Sequence, residues 1–240
     1  MARVAIVTGG TRGIGEAISR ALQQQGYAVA ANYGGNVERA KAFSADTGIP
    51  VYCWDVGDHE ACIEGCAQVA ADLGPVDVVV NNAGITRDAV LHRMTFDDWN
   101  EVMRINLGGC FNMVKATFSG MRDRGWGRVV NIGSINGQSG QYGQVNYAAS
   151  KSGIHGFTKA LAQEGAKFGV TVNTIAPGYI DTDMVSAVPQ AVLDKIIAKI
   201  PVGRLGHAEE IARAVAFLCS EDAGFVTGST MSINGGQHMY

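Results

Sequence analysis

The chain has no apolar run near the roughly 20 residues that a bilayer crossing demands, so no membrane-spanning helix is expected. Its start, "MARVAIVTGG", has about five residues before the first turn, too few for the apolar region of a signal peptide. The cysteines Cys53, Cys62, Cys66, Cys110 and Cys219 are odd in number and form no CxxC pair, which argues against a disulfide framework and for a reducing, cytoplasmic compartment. Cys62 and Cys66 stand at helical spacing, which allows metal binding or pairing, but buried free thiols are the expectation. Histidines are scattered without HExxH or similar spacing, so no metal site is expected. A formal net charge of −3 removes bulk attraction for nucleic acid. Proline is scarce, at 5 residues, and no Pro/Ser-rich hinge, charge block or internal repeat divides the chain, so residues 1–240 read as a single domain.

Glycine is plentiful. Its 32 residues form no repetitive run, which points to tight turns and backbone close to ligands, not to a linker. With 47% hydrophobic and 17% charged residues the chain is a folded one, long enough for one sizeable core. Short β-branched runs alternate with helix-length segments. "RVAIV", "YAVAAN", "PVYCW", "VDVVV", "GRVVNI", "VTVNTI" and "TMSI" read as seven strands. Between them lie amphipathic stretches such as "GEAISRALQQQ", "HEACIEGCAQVAADL" and "SKSGIHGFTKALAQEGAKF". The alternation predicts an α/β, doubly wound (Rossmann) fold, a seven-stranded parallel sheet with helices on both faces. Ligands in such a fold bind beyond the carboxyl ends of the strands.

Directly after the first strand comes "TGGTRGIG", Thr8 to Gly15, leading into a helix. Gly9, Gly13 and Gly15 are spaced G-x3-G-x-G, permitting a tight turn and close approach of a pyrophosphate to the helix N-terminus. Thr11, Arg12 and Ile14 of this turn, with Gly34 after the second strand, are expected to border the cofactor. Folds that hold NAD usually place an acid near the end of the second strand, yet "AANYGGNVERA" has none before Glu38. Arg12 and Arg39 flank that place, and two guanidinium groups without a carboxylate suit a 2′-phosphate; solvated surface arginines are the plain alternative. NADP(H) is therefore the expected cofactor. Asp55 and Val56 follow the third strand, where a carboxylate and an apolar edge could hold an adenine. After the fourth strand, "NNAGIT" offers Asn81 as a sheet brace and Asn82, Ala83, Gly84 and Ile85 as room for a flat ring or ribose.

The fifth strand ends at Gly133-Ser134, and the amide-rich stretch "GQSGQYGQVNYAASK" runs on from Gly137 to Lys151. Tyr147 and Lys151 are one helical turn apart and share a face. A phenol titrates near 10 in water, and a neighbouring ammonium favours its anion, making it a better proton carrier. Such a group protonates an alkoxide as a hydride arrives.

The combination of "TGGTRGIG", Asp55-Val56, "NNAG", Asn106, Ser134, "YAASK", "PGYIDTDM" and "SINGG", in this order, resembles the short-chain dehydrogenase/reductase family along essentially the full length. Within it, "NNAGITRD", "GWGRVVNI", the Gln-rich loop, "PGYIDTDMV" and "NGGQHM" are most similar to the acetoacetyl-CoA reductases of polyhydroxyalkanoate synthesis. The resemblance implies Tyr147 as general acid, Ser134 as a hydrogen-bond partner of the carbonyl oxygen, and Lys151 on the nicotinamide ribose, lowering the tyrosine pKa. Asn106 would hold a water connecting Lys151 to solvent; its sequence context alone suggests only a helix-bending or capping amide. Pro177, Gly178 and Tyr179 would pass beside the nicotinamide, with Ile180 and Thr182 on the carboxamide or phosphates. Gln141, Tyr142 and Gln144 would face an acyl-CoA thioester, though the glutamines could instead satisfy loop backbone. Asp88 and Tyr179 would line the same site, under a lid around 181–205 in which Pro189 stands where related reductases can carry a basic residue. A homotetramer is implied. A 3-oxoacyl-carrier-protein reductase is the enzymatic alternative, and a non-catalytic nucleotide-sensing protein the alternative from another class.

Overall fold

The computed structural model describes residues 2–182 and 190–239, so Pro189 and the 183–189 part of the expected lid lie outside the described residues. The strands are β1 (Val4–Val7), β2 (Ala28–Tyr33), β3 (Val51–Cys53), β4 (Val76–Asn81), β5 (Gly127–Ile132), β6 (Val170–Pro177) and β7 (Thr230–Ile233). All pair in parallel, in the order β3-β2-β1-β4-β5-β6-β7. The seven-stranded doubly wound fold expected from strand–helix alternation is the one found. β1, β5 and β6 are buried along their whole length, which is why their apolar runs show no alternation.

The helices are α1 (Gly13–Gln24), α2 (Val37–Thr47), α3 (His59–Leu73), α4 (Phe96–Met103), α5 (Gly109–Arg124), α6 (Ile135–Ser139), α7 (Val145–Gly165), α8 (Gln190–Ile197) and α9 (Ala208–Cys219). On one face of the sheet Ile18 and Leu22 of α1 meet Ile211 and Val215 of α9 over Ala5 and Val7. On the other, Val69 of α3, Met113 and Met121 of α5 and Leu161 of α7 cover Ile6, Val79 and Val129. Fully burying a side chain of the size of Leu22 or Met113, both at 0% exposure, contributes about 1.5–3 kcal/mol. Cys62 and Cys66 lie in this second core layer, where both pack as free thiols and burial pushes them up to about 12.

Sheet order reverses between β1 and β4, so the carboxyl ends of β1, β4 and β5 open onto one crevice. Beneath it runs a buried polar brace. Asn81 donates to Asn131 at 2.8 Å, Asn131 donates to Thr158 at 2.9 Å, and Thr158 meets Thr174 at 2.7 Å. Asn81 thus braces the sheet as expected, but through a neighbouring side chain rather than the backbone.

α7 starts at Val145, ahead of the "SKSG" stretch, so Tyr147 sits in the first turn of the same helix as Lys151, as their four-residue spacing expects. α4 runs into α5 through a single π-helical turn, Arg104–Gly108, that carries Asn106. The turn ends on the pair Gly108-Gly109. It persists because its widened backbone lets a buried amide reach across to the end of β4.

Candidate active site

Thr8 is the hub of the nucleotide side. Its buried hydroxyl accepts from the backbone N–H of Asn82 at 2.9 Å and of Ala83 at 3.0 Å, and donates to Val80 O at 3.3 Å. Asn82 returns the contact, its Nδ2 donating to Thr8 O at 2.9 Å and Gly9 O at 3.3 Å. The glycine turn and the "NNAG" segment are thereby one rigid unit. Gly9 adopts φ +61, and a Cβ on Gly15 would stand 2.1 Å from Gly9 O, so neither position accepts a side chain. Gly13, also at positive φ, faces Thr182, while Thr11 is buried and Ile14 packs against the core. At the N-cap of α1, Arg12 makes no side-chain cap, so the donors of the first turn are left to a ligand. This uncapped helix end beside close-packed glycines fits a pyrophosphate.

Further along the rim the polar groups pair with one another. Arg39 reaches Glu16 at 3.4 Å, and Glu16 also holds Arg20 at 3.0 Å. Gly34 is exposed with nothing near its α-carbon. Asp55, expected with Val56 at the adenine, has its side chain 48% exposed and already holds protein partners. Asp55 accepts from Gly57 N at 2.8 Å with one oxygen and from Arg104 at 2.7 Å with the other. Val56 is buried against α5. Likewise the Ile180 side chain is turned into the core, where its backbone bridges Gly206. Gly178, after Pro177, packs its α-carbon against Asn234 and donates to Ile233 O at 2.9 Å.

At the crevice floor, Lys151 is buried and donates through Nζ to Ile132 O at 2.7 Å. Asn106, 1% exposed, grips the backbone of Ile85 twice: Oδ1 accepts from Ile85 N at 2.8 Å and Nδ2 donates to Ile85 O at 3.0 Å. Its Nδ2 also reaches Ser150 Oγ at 3.2 Å. The amide is therefore fully engaged, and a water relay at this residue is left with the backbone carbonyl, to which the Cys110 thiol already donates at 3.3 Å. Gly84 lies between Asn106 and Lys151, where a Cβ would come within 3.3 Å of the amide and 3.6 Å of Nζ.

Burial raises the Tyr147 phenol above its ordinary value, Ser134 holds it down by a hydrogen bond, and the Asp88 carboxylate raises it further. Burial lowers Lys151. Its Nζ stands 5.8 Å from the Tyr147 ring centre and donates to Ile132 O.

The substrate-side loop is more ordered than its composition suggests. Ser134 caps α6, its Oγ accepting from Asn136 N at 3.1 Å. Gln144 donates to Asp88 at 2.8 Å and accepts from Asn136 at 2.9 Å, so its amide is engaged at both ends rather than free for a ligand. Gln141 is exposed and contributes its carbonyl to Gln144 N at 3.1 Å. Tyr142 projects into solvent at 87% exposure, which does not make it a wall of the cleft as the chain stands. Tyr179 is partly buried. Sequence reasoning missed Thr8, Glu16 and Asn136. The capping position of Ser134 two residues before Asn136 was the available signal for the last.

A family model described as Enoyl-(Acyl carrier protein) reductase matches residues 9–238. The chain is 66% identical over 239 residues to the Acetoacetyl-CoA reductase of Rhizobium meliloti (strain 1021), covering 99% of both chains. It is 61% identical over 239 residues to the Acetoacetyl-CoA reductase of Paracoccus denitrificans, again covering 99% of both. It is 44% identical over 244 residues to the 3-oxoacyl-[acyl-carrier-protein] reductase of Pseudomonas aeruginosa, covering 99% of this chain and 98% of that one. The chain belongs to the short-chain dehydrogenase/reductase family.

Proposed function

We propose that this member of the family catalyses NADPH-dependent reduction of acetoacetyl-CoA, a short 3-oxoacyl-CoA, to 3-hydroxybutanoyl-CoA in polyhydroxyalkanoate synthesis. The observation that carries the reading is full-length identity of 61–66% to relatives named for that activity, against 44% to the carrier-protein reductase. Retention of Ser134, Tyr147, Lys151 and Asn106 together argues against a non-catalytic nucleotide sensor.

When bound, a reduced nicotinamide supplies the hydride. Tyr147 gives its proton to the carbonyl oxygen, and a raised phenol pKa keeps that proton in place until negative charge develops. Ser134 already accepts from Asn136 N, so its hydroxyl proton is left to point at the same oxygen. Lys151 would hold the ribose from the crevice floor, and Asn106 fixes the Ile85 backbone beside it. Preference for the 2′-phosphorylated cofactor is supported by the missing acid after β2 and by exposed Arg12 and Arg39. The homotetramer rests on family resemblance, and the cytoplasmic location on cysteines odd in number and without a CxxC pair.

The deciding experiment follows NADPH oxidation with acetoacetyl-CoA and with the acetoacetylated carrier protein. A higher kcat/KM for the CoA thioester supports the proposal. A higher value for the carrier-protein substrate replaces it with the fatty-acid reading, and no turnover of either refutes reduction altogether.

A further inference from the structure

Asn136 lies outside the sequence motifs of the site, yet it ties two of its groups together. Its backbone N–H donates to Ser134 Oγ at 3.1 Å and its Nδ2 donates to Gln144 Oε1 at 2.9 Å. Gln144 continues the chain by donating Nε2 to Asp88 Oδ2 at 2.8 Å. The backbone beneath Asp88 is itself fixed: Ala89 N donates to Gly143 O at 2.9 Å, and Asn146 Nδ2 donates to Arg87 O at 2.9 Å.

This chain has a direction. An ionised carboxylate only accepts, so Gln144 must turn its nitrogen to Asp88 and its oxygen to Asn136. Asn136 must then turn its nitrogen to Gln144. Asp88 makes no ion pair among the described residues, so nothing competes with Gln144 for its charge.

We propose that Asn136 is a positioning residue whose amide, oriented from Asp88 through Gln144, holds Ser134 and the glutamine loop as one unit around the reacting carbonyl. The inference rests on the carbonyl-reductase reading. It explains why an exposed loop rich in glycine is still held to the serine, and why the amide-bearing residue at 136 follows the cap.

The test moves the charge to the other end of the chain. Asn136→Asp alone sets two acceptors on either side of Gln144, and kcat/KM for acetoacetyl-CoA should fall about ten- to a hundredfold, the usual consequence of an unmatched polar group. Asp88→Asn alone leaves every bond satisfiable and should cost only a few-fold. In the double variant Gln144 can flip, donating to the carboxylate now at position 136 and accepting from the amide now at position 88. Activity should then recover about tenfold over Asn136→Asp. Asn136→Ala, which removes the link without adding charge, should lose about two- to tenfold and gain nothing from Asp88→Asn. Direct titration of NADPH should show unchanged affinity in every variant. Additive single effects, or an Asn136→Asp enzyme as active as the unmodified one, overturn the proposal. The same cycle read in melting temperature separates the two levels of the argument. No turnover by the unmodified protein defeats the reductase reading, whereas additive melting shifts in an active enzyme defeat the directed chain alone.

Discussion

The two ends of the crevice are built on opposite principles. Around the proton donor the polar groups are buried and largely paired: Asn106, Asn131 and Lys151 are all under 5% exposed and hydrogen-bonded, while Asn81, equally buried, donates to Asn131 and leaves its Oδ1 without a partner. Around the adenosine rim they are exposed and paired side by side, with the Arg39 and Arg104 side chains 46% and 39% exposed. A buried group that loses its partner costs about 1–3 kcal/mol, whereas an exposed ion pair is worth about 0–1 kcal/mol. Chemistry is therefore insulated at one end, and cofactor preference is adjustable at the other.

The strongest way to break this contrast is at Tyr147. Tyr147→Phe keeps the ring and removes the proton, so kcat should fall by about two or more orders of magnitude while NADPH still binds. Near-normal turnover would end the assignment. Thr8→Val comes next. It strands the Asn82 and Ala83 N–H groups that the hydroxyl now satisfies, at about 1–3 kcal/mol for each group, and the melting temperature should drop accordingly. An unchanged melting curve would mean that water replaces the hydroxyl and that this end is less insulated than it looks.

A subtler test is pH. The phenol pKa is raised, and reduction needs the protonated phenol, so reduction rates should hold through neutral pH and fall only above the ordinary phenol range. Oxidation of the hydroxyacyl product needs the phenolate and should rise over the same interval. Because the Asp88 carboxylate contributes to holding the proton, Asp88→Asn should move the alkaline fall to lower pH. A fall in reduction at neutral pH in the unmodified enzyme would mean that Lys151 depresses the phenol after all.

How much of this was readable in advance divides along the same line. Strand runs and α3, "HEACIEGCAQVAADL", translate directly because burial on two faces and helical periodicity leave local traces. Tyr147, Lys151 and Ser134 were visible because they carry chemistry at strand ends or at helical spacing. What stayed hidden depends on partners distant in the chain. Asp55 is taken by Arg104 across 49 positions, Gln144 by Asp88 across 56, and Lys151 turns to the Ile132 carbonyl. At the π-helical turn the sequence suggested a helix-bending amide at Asn106, but not its partner, the Ile85 backbone 21 positions away.

The smallest effect, and the one that sharpens the comparison most, concerns Glu16. It faces Arg39 at 3.4 Å, so the same guanidinium that would hold a 2′-phosphate is partly neutralised by a carboxylate on the first turn of α1. Two substitutions should act in opposite directions. Arg39→Ala removes a donor to the phosphate and should narrow the ratio of kcat/KM for NADPH over NADH. Glu16→Gln removes the competitor and should widen it. Both side chains are partly solvated, so each change is worth about 0–1 kcal/mol, up to roughly fivefold, and both should shrink as ionic strength rises. At the buried end no such salt dependence is expected: the Tyr147→Phe loss should be the same in dilute and concentrated salt. If Arg39→Ala leaves the ratio untouched while Arg12→Ala collapses it, the phosphate is held at the helix cap alone. If Glu16→Gln narrows the ratio instead, the carboxylate orients Arg39 toward the phosphate rather than competing for it, and the rim is more organised than its exposure implies.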